Sequence, residues 1–69
     1  ADISFDSPDS PGTVAANLRE SLSENRFSER ESSDFEDRYI FVYDKDGKVY
    51  TIVVSPAQEQ GSQVWITWE

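Results

Sequence analysis

Five carboxylates crowd one short stretch of the chain, Glu29, Glu31, Asp34, Glu36 and Asp37. Paired carboxylates serve as acid and base in glycoside hydrolysis, and Glu31 with Glu36 is the pair that chemistry would draw on here. The work requires burial or mutual coupling to move their pKa values apart. Interspersed serines and arginines argue instead for a solvated segment in which Arg26, Arg30 and Arg38 pair with neighbouring acids.

Asp44-Lys45-Asp46-Gly47 places two acids at alternate positions before a glycine, as a calcium loop does. The match fails on both sides. Val42 stands where the preceding ligand belongs, and Val53 where a bidentate glutamate would follow. The chain has no His, Cys or Met, which removes the usual zinc ligands, thiol nucleophiles and imidazole bases. No Gly-rich phosphate loop is present. The expectation is therefore no enzyme, no metal and no cofactor. Ser21, Ser28 and Ser33 precede acids and could accept phosphate, while Ser7-Pro8, Ser10-Pro11 and Ser55-Pro56 read first as turn and helix-start dipeptides.

The surrounding chain must build its fold without chemical staples. Its 69 residues make one small domain, and a domain of this size buries only about 60% of the surface its unfolded chain exposes. With no cysteine for a disulfide, the hydrophobic core carries the stability alone. Fourteen acidic against six basic residues give a formal charge of -8. That charge disfavours direct contact with nucleic acid or anionic membranes and suits either simple solubility or a basic protein partner. No apolar run has the length of a membrane span, and Ala1–Asp6 lacks the basic start of a signal peptide. A soluble chain is expected.

Ile3 and Phe5 alternate with Asp2, Ser4 and Asp6, the period of a short edge strand. Ser10 before Pro11 forms a helix start, with a capping residue ahead of proline at the first helical position. Val14, Leu18 and Leu22, with Ala15 beside them, make one apolar stripe on a helix of about Pro11 to Glu24. Asn25 is the expected left-handed cap. Residues 25–37 offer only Phe27 and Phe35 as apolar anchors, and two readings stand: an edge strand over Arg26–Glu31, or a helical turn over Ser33–Asp37.

Tyr39–Asp44, Lys48–Val54 and Gln63–Trp68 carry the β-branched and aromatic content of strands. A three-residue loop with a bulge at Gly47 would set Tyr43 opposite Val49. In that register Ile40, Val42, Tyr50, Ile52 and Val54 share one face, and Tyr39, Phe41, Tyr43, Val49, Thr51 and Val53 the other. Val64, Ile66 and Trp68 alternate with Trp65 and Thr67 on the last strand. Both sheet faces are apolar, yet only one helix is legible. Either residues 25–37 fold over the second face or the sheet curls around its core, or Tyr39, Phe41, Tyr43 and Trp65 form an interaction face of the aromatic kind that dominates interfaces.

The fold class expected is α+β, one helix packed on an antiparallel β-meander of three strands with a fourth, N-terminal strand. The leading functional expectation is a computationally designed or redesigned small protein whose property is stable folding as a monomer, with no partner required. Its support is the missing Cys and Met, which designers avoid; the Ser-rich stretch from Ser21 to Ser33 is poor in the residues that fill idealised elements. The alternative is a natural acidic interaction module, or an inhibitor of a basic groove that nucleic acid would otherwise fill.

Overall fold

The computed structural model describes residues 1–69. The elements in chain order are β1 (Asp2–Ser7), α1 (Pro11–Glu24), β2 (Ser28–Phe35), β3 (Arg38–Lys45), β4 (Lys48–Pro56) and β5 (Ser62–Trp68). The five strands form one antiparallel sheet in the order β1-β5-β4-β3-β2. The α+β class and the N-terminal strand agree with expectation. The strand count does not: β2 is a fifth strand on the far edge. Every residue of β2 is exposed, so neither of its faces needs apolar alternation, and periodicity cannot announce such a strand. The helical turn over Ser33–Asp37 is absent. Ser33–Phe35 continue the strand, and Glu36 and Asp37 both take positive φ, 49° and 64°, in the turn to β3.

β1 and β2 lie at opposite edges and point the same way, because four antiparallel pairings separate them. Their connection must therefore cross the whole sheet. Four strand spacings span about 19 Å, and a 14-residue helix is about 21 Å long. The helix α1 is long enough to make the crossing, and it can cover only one face.

Which face it covers depends on the β3–β4 hairpin. Asp46 and Gly47 both have positive φ, 54° and 81°, and Lys45 pairs with Lys48. The loop is thus a two-residue type I′ turn, whose twist matches that of the strands and which favours Asp-Gly. The three-residue loop read from sequence is one residue too long. Tyr43 faces Tyr50, Phe41 faces Ile52 and Tyr39 faces Val54. A slip of one residue moves every side chain of one strand to the other face. Tyr39, Phe41 and Tyr43 consequently join Tyr50, Ile52 and Val54, and through Ile52↔Ile66 and Val54↔Val64 they join the inward residues of β5.

The helix rests on this combined face. Val14, Ala15, Phe41, Tyr43, Ile52, Val54 and Val64 are the buried core, with Leu18, Leu22, Phe27, Tyr39 and Ile66 packed around it. The predicted helical stripe is the one used. Phe27 meets Tyr50 edge to face at 5.2 Å, and Phe41 meets Tyr43 in the same manner at 6.3 Å, arrangements that suit the ring quadrupoles.

Two local devices fix the helix ends. Asn25 has φ −94°, and the left-handed residue is its neighbour Arg26 at φ 66°. The Phe27 N–H donates to the Leu22 carbonyl at 2.9 Å and the Arg26 N–H to the Ser23 carbonyl at 3.1 Å. This is a Schellman ending, with Phe27 and Leu22 as its apolar pair. Asn25 instead turns its side-chain amide back to the Ser21 carbonyl at 2.7 Å. At the other end the Ser10 hydroxyl donates to Thr13 Oγ1 at 3.1 Å rather than accepting from a helical N–H. Entry to the helix is set from β5. The fully buried Ser62 hydroxyl donates to the Asp9 carbonyl at 2.7 Å, while Gly61, at φ 83°, lies so close to the β1 exit that a Cβ there would come within 2.3 Å of the Ser7 carbonyl oxygen.

Gly61→Ala is expected to cost at least about 2 kcal/mol from backbone strain and collision. Gly47→Ala, with open space around its Cβ position, should cost only about 1 kcal/mol; urea unfolding of the two variants reads the difference. By the same measurement Arg26→Gly should gain about 0.5 kcal/mol, since glycine relieves the left-handed strain but loses more entropy on folding.

Candidate interaction face

The face away from the helix is covered by nothing in the chain. Residues 25–37 do not fold over it but lengthen the sheet as β2. Phe27 packs on the helix side, and Phe35 remains 73% exposed. The aromatic residues proposed from sequence are divided between the two faces. Phe41 and Tyr43 are buried and Tyr39 is half-buried beneath the helix, so those three are core. Trp65 alone lies on the open face, 42% exposed.

Pairing register shows what stands beside it. Ile40 is opposite Val53 and Val53 opposite Trp65, which makes a continuous apolar row across β3, β4 and β5. Ser33 and Ser4 continue that row onto the two edge strands. The next row toward the β3–β4 turn runs Glu31, Val42, Thr51, Thr67 and Asp2. Beyond it Asp44 pairs with Val49. Ile40 and Val49 are about as exposed as Trp65, and Val42 and Val53 are half-buried. Ile40, Val42, Val49 and Val53 were not singled out together by sequence reading. The signal that finds them is the Asp-Gly dipeptide read as a two-residue turn.

Charges edge this apolar patch on both sides. Asp2 and Asp6 project from β1 and Glu31 from β2, on the same face as Trp65 and Val42 by register. The Trp65 indole N–H reaches toward the Asp2 carboxylate at 3.4 Å, a long contact. Arg30 sits at the bulge in β2 and pairs with Asp44 at 3.6 Å. Arg38 is the remaining cation, opposite Phe35. The open face therefore carries four acids against two arginines, one of which is already paired.

The carboxylate cluster read from sequence is dispersed. Glu31 points to the open face; Glu36 and Asp37 occupy a turn; Asp34 and Glu29 lie on the helix side. No group of three or more Asp or Glu residues is placed to hold a metal ion. Glu29 alone is closely engaged. Arg19 of the helix grips it through two bonds, Nε to Oε1 at 3.0 Å and Nη2 to Oε2 at 3.1 Å, and the Tyr43 hydroxyl donates to Oε1 at 2.8 Å. The guanidinium also lies 5.4 Å from the Phe41 ring centre. Charge-assisted, bidentate bonds of this kind fix geometry. A shallow open groove of about 500 Å³, lined by Ala16, Arg19, Ser23, Phe27, Glu29 and Tyr43, lies over the cluster. Arg19 Nε and Nη2, both Glu29 carboxylate oxygens and the Tyr43 hydroxyl are engaged with one another, so the cluster fastens edge strand β2 to the helix.

Burial raises the Tyr43 phenol above its ordinary value of 10.0, and the bond to Glu29 adds to the rise. The Tyr43 oxygen first, and the Glu29 charge second, hold the Arg19 proton more firmly as well. A tyrosine whose folded pKa exceeds its unfolded one contributes stability that is complete below about pH 10 and is lost as pH climbs through the folded value. Stability curves of wild type and Tyr43→Phe should therefore keep a constant separation up to about pH 10 and converge above it; thermal unfolding across that window measures the convergence. Comparison with family models, with curated proteins and with solved structures returned no match, so the meaning of the open face rests on its own geometry.

Proposed function

We propose that this chain is a protein-interaction module, and that it binds a partner of basic character through the open face of its sheet. One observation supports this above all. The row Ile40, Val53 and Trp65 is continuous across three strands, with Ile40 and Trp65 exposed to water and Val53 half-buried between them. Antiparallel sheets with a solvated face ordinarily place polar residues there, and contiguous exposed apolar patches mark interaction sites. Trp65 at the side of two aliphatic residues supplies the aromatic anchor typical of such sites. The acids at the two edges favour a partner carrying positive charge, which speeds encounter and excludes acidic competitors.

The reading as a designed chain with no property beyond folding draws support from the two two-residue turns and the regular meander. It offers no reason for the open row. It also leaves four non-glycine residues at positive φ, and at three of them, Arg26, Glu36 and Asp37, idealised backbones would place glycine or asparagine.

The proposal requires that the row be dispensable for the fold. Replacing Ile40, Val53 and Trp65 together by Thr, which keeps strand preference, should leave the protein folded at a cost of about 1 kcal/mol per site. Ile52→Ala in the core should cost about 3 kcal/mol. A displayed library of peptides and small domains panned on the protein should yield net-basic binders that lose the triple variant. Binders that hold both forms equally, or collapse of the triple variant's fold, would place the row's purpose elsewhere.

A further inference from the structure

The shape of the open face narrows the partner further. Resting on the reading above, we infer that the occupant is an amphipathic α-helix with basic flanks, lying along the strands. Three features of the face carry this. At the row Ile40, Val53 and Trp65 the apolar band is three strands wide, β3 to β5, which is about 10 Å between the outer strand axes; a helix with its side chains is about 10 Å across. Along β4 the face runs from Val49 past Thr51 to Val53, with Val42 beside Thr51 and Asp44 beside Val49, about 13 Å, the length of roughly nine helical residues. Such a segment presents three or four apolar groups on one stripe, at i, i+3, i+4 and i+7.

The third feature is the placement of charge. Asp2 and Asp6 stand on β1, and Glu31 on β2, so acids border the band on both sides that run parallel to the strands. The two edges are about 19 Å apart. A helix seated between them would bring long lysine or arginine side chains, whose stems lie along apolar surface while the heads stay in water, to both rims at once. A flat sheet from a second copy fits poorly, because each copy has charge -8 and would set acids against acids. A strand added at an edge would use backbone rather than this face, and the β2 edge carries a bulge and charges that resist such pairing.

The probe is a synthetic 14-residue peptide with leucine on one helical stripe and lysine on its flanks, titrated into the isotope-labelled protein and followed by amide NMR shifts. Its control has the same composition with the leucines scattered around the helix. The expected result is saturable binding, with shifts centred on Ile40, Val53 and Trp65 and helical signal induced in the peptide. Affinity should fall at least tenfold for the scrambled peptide and for the triple Thr variant. Asp2→Asn with Glu31→Gln should weaken it several-fold and flatten its salt dependence. Equal binding of the scrambled peptide would reduce the effect to charge attraction and overturn the inference, as would shifts confined to the β2 edge. A doubled mass by light scattering without peptide, with the same residues shifted, would assign the face to self-association and also overturn it. If panned binders need the open row but bind it in extended form, the helical inference falls while the interaction reading stands.

Discussion

The two-residue turn at Asp46-Gly47 governs the rest of the molecule, because it sets which side chains of β3 and β4 share a face. With both residues at positive φ the strands pair Tyr43 to Tyr50 and Phe41 to Ile52. The largest rings and the deepest aliphatic groups then gather on one side, where a single helix can bury them. One more residue in the loop would divide the aromatics of β3 from the isoleucine and valine of β4, and neither face would hold enough apolar surface for a small chain without disulfides.

Topology converts that asymmetry into a one-sided layer. The helix must travel from one edge of the sheet to the other, and it is tied at three places, its two ends and Arg19 between them. Gly61 and Ser62 hold the entry against β5. The Schellman turn at Arg26 and Phe27 aims the chain from the helix into β2. Arg19, Glu29 and Tyr43 then link helix, edge strand and core, with Lys45 contributing a bond to the Asn25 carbonyl at 2.8 Å. These contacts explain how β2 stays in the sheet although each of its residues is exposed. Its order derives from hydrogen bonding to β3 and from one clamped glutamate, not from burial.

A fold that spends its only helix on one face leaves the other to water or to another molecule. Threonines and serines occupy several open positions, as a solvated sheet would have throughout. The row from Ile40 through Val53 to Trp65 departs from that pattern in its centre, and acids lie to either side of it. The departure is local, and it is the observation on which the proposed recognition surface rests.

Local code in the sequence determined a good deal. Ser10-Pro11 and the Val14, Leu18, Leu22 stripe specified the helix to its boundaries, and the β-branched and aromatic runs specified β3, β4 and β5, since propensity and periodicity act over neighbouring residues. Ile3 and Phe5 were enough for β1. The absence of His and Cys removed imidazole bases and thiol nucleophiles. Three things were left to tertiary structure. β2 has no apolar alternation because an exposed edge strand needs none; the sequence left an edge strand over Arg26–Glu31 and a helical turn over Ser33–Asp37 as open readings, and pairing with β3 decided for a strand that runs on to Phe35. The dispersal of the carboxylates follows from which way each strand residue points. The choice of outward face turned on a single loop residue at Asp46-Gly47, and a period-2 pattern that is apolar on both sides cannot say which side a helix takes; that was decided by register, and by the path the helix must follow between two distant edges.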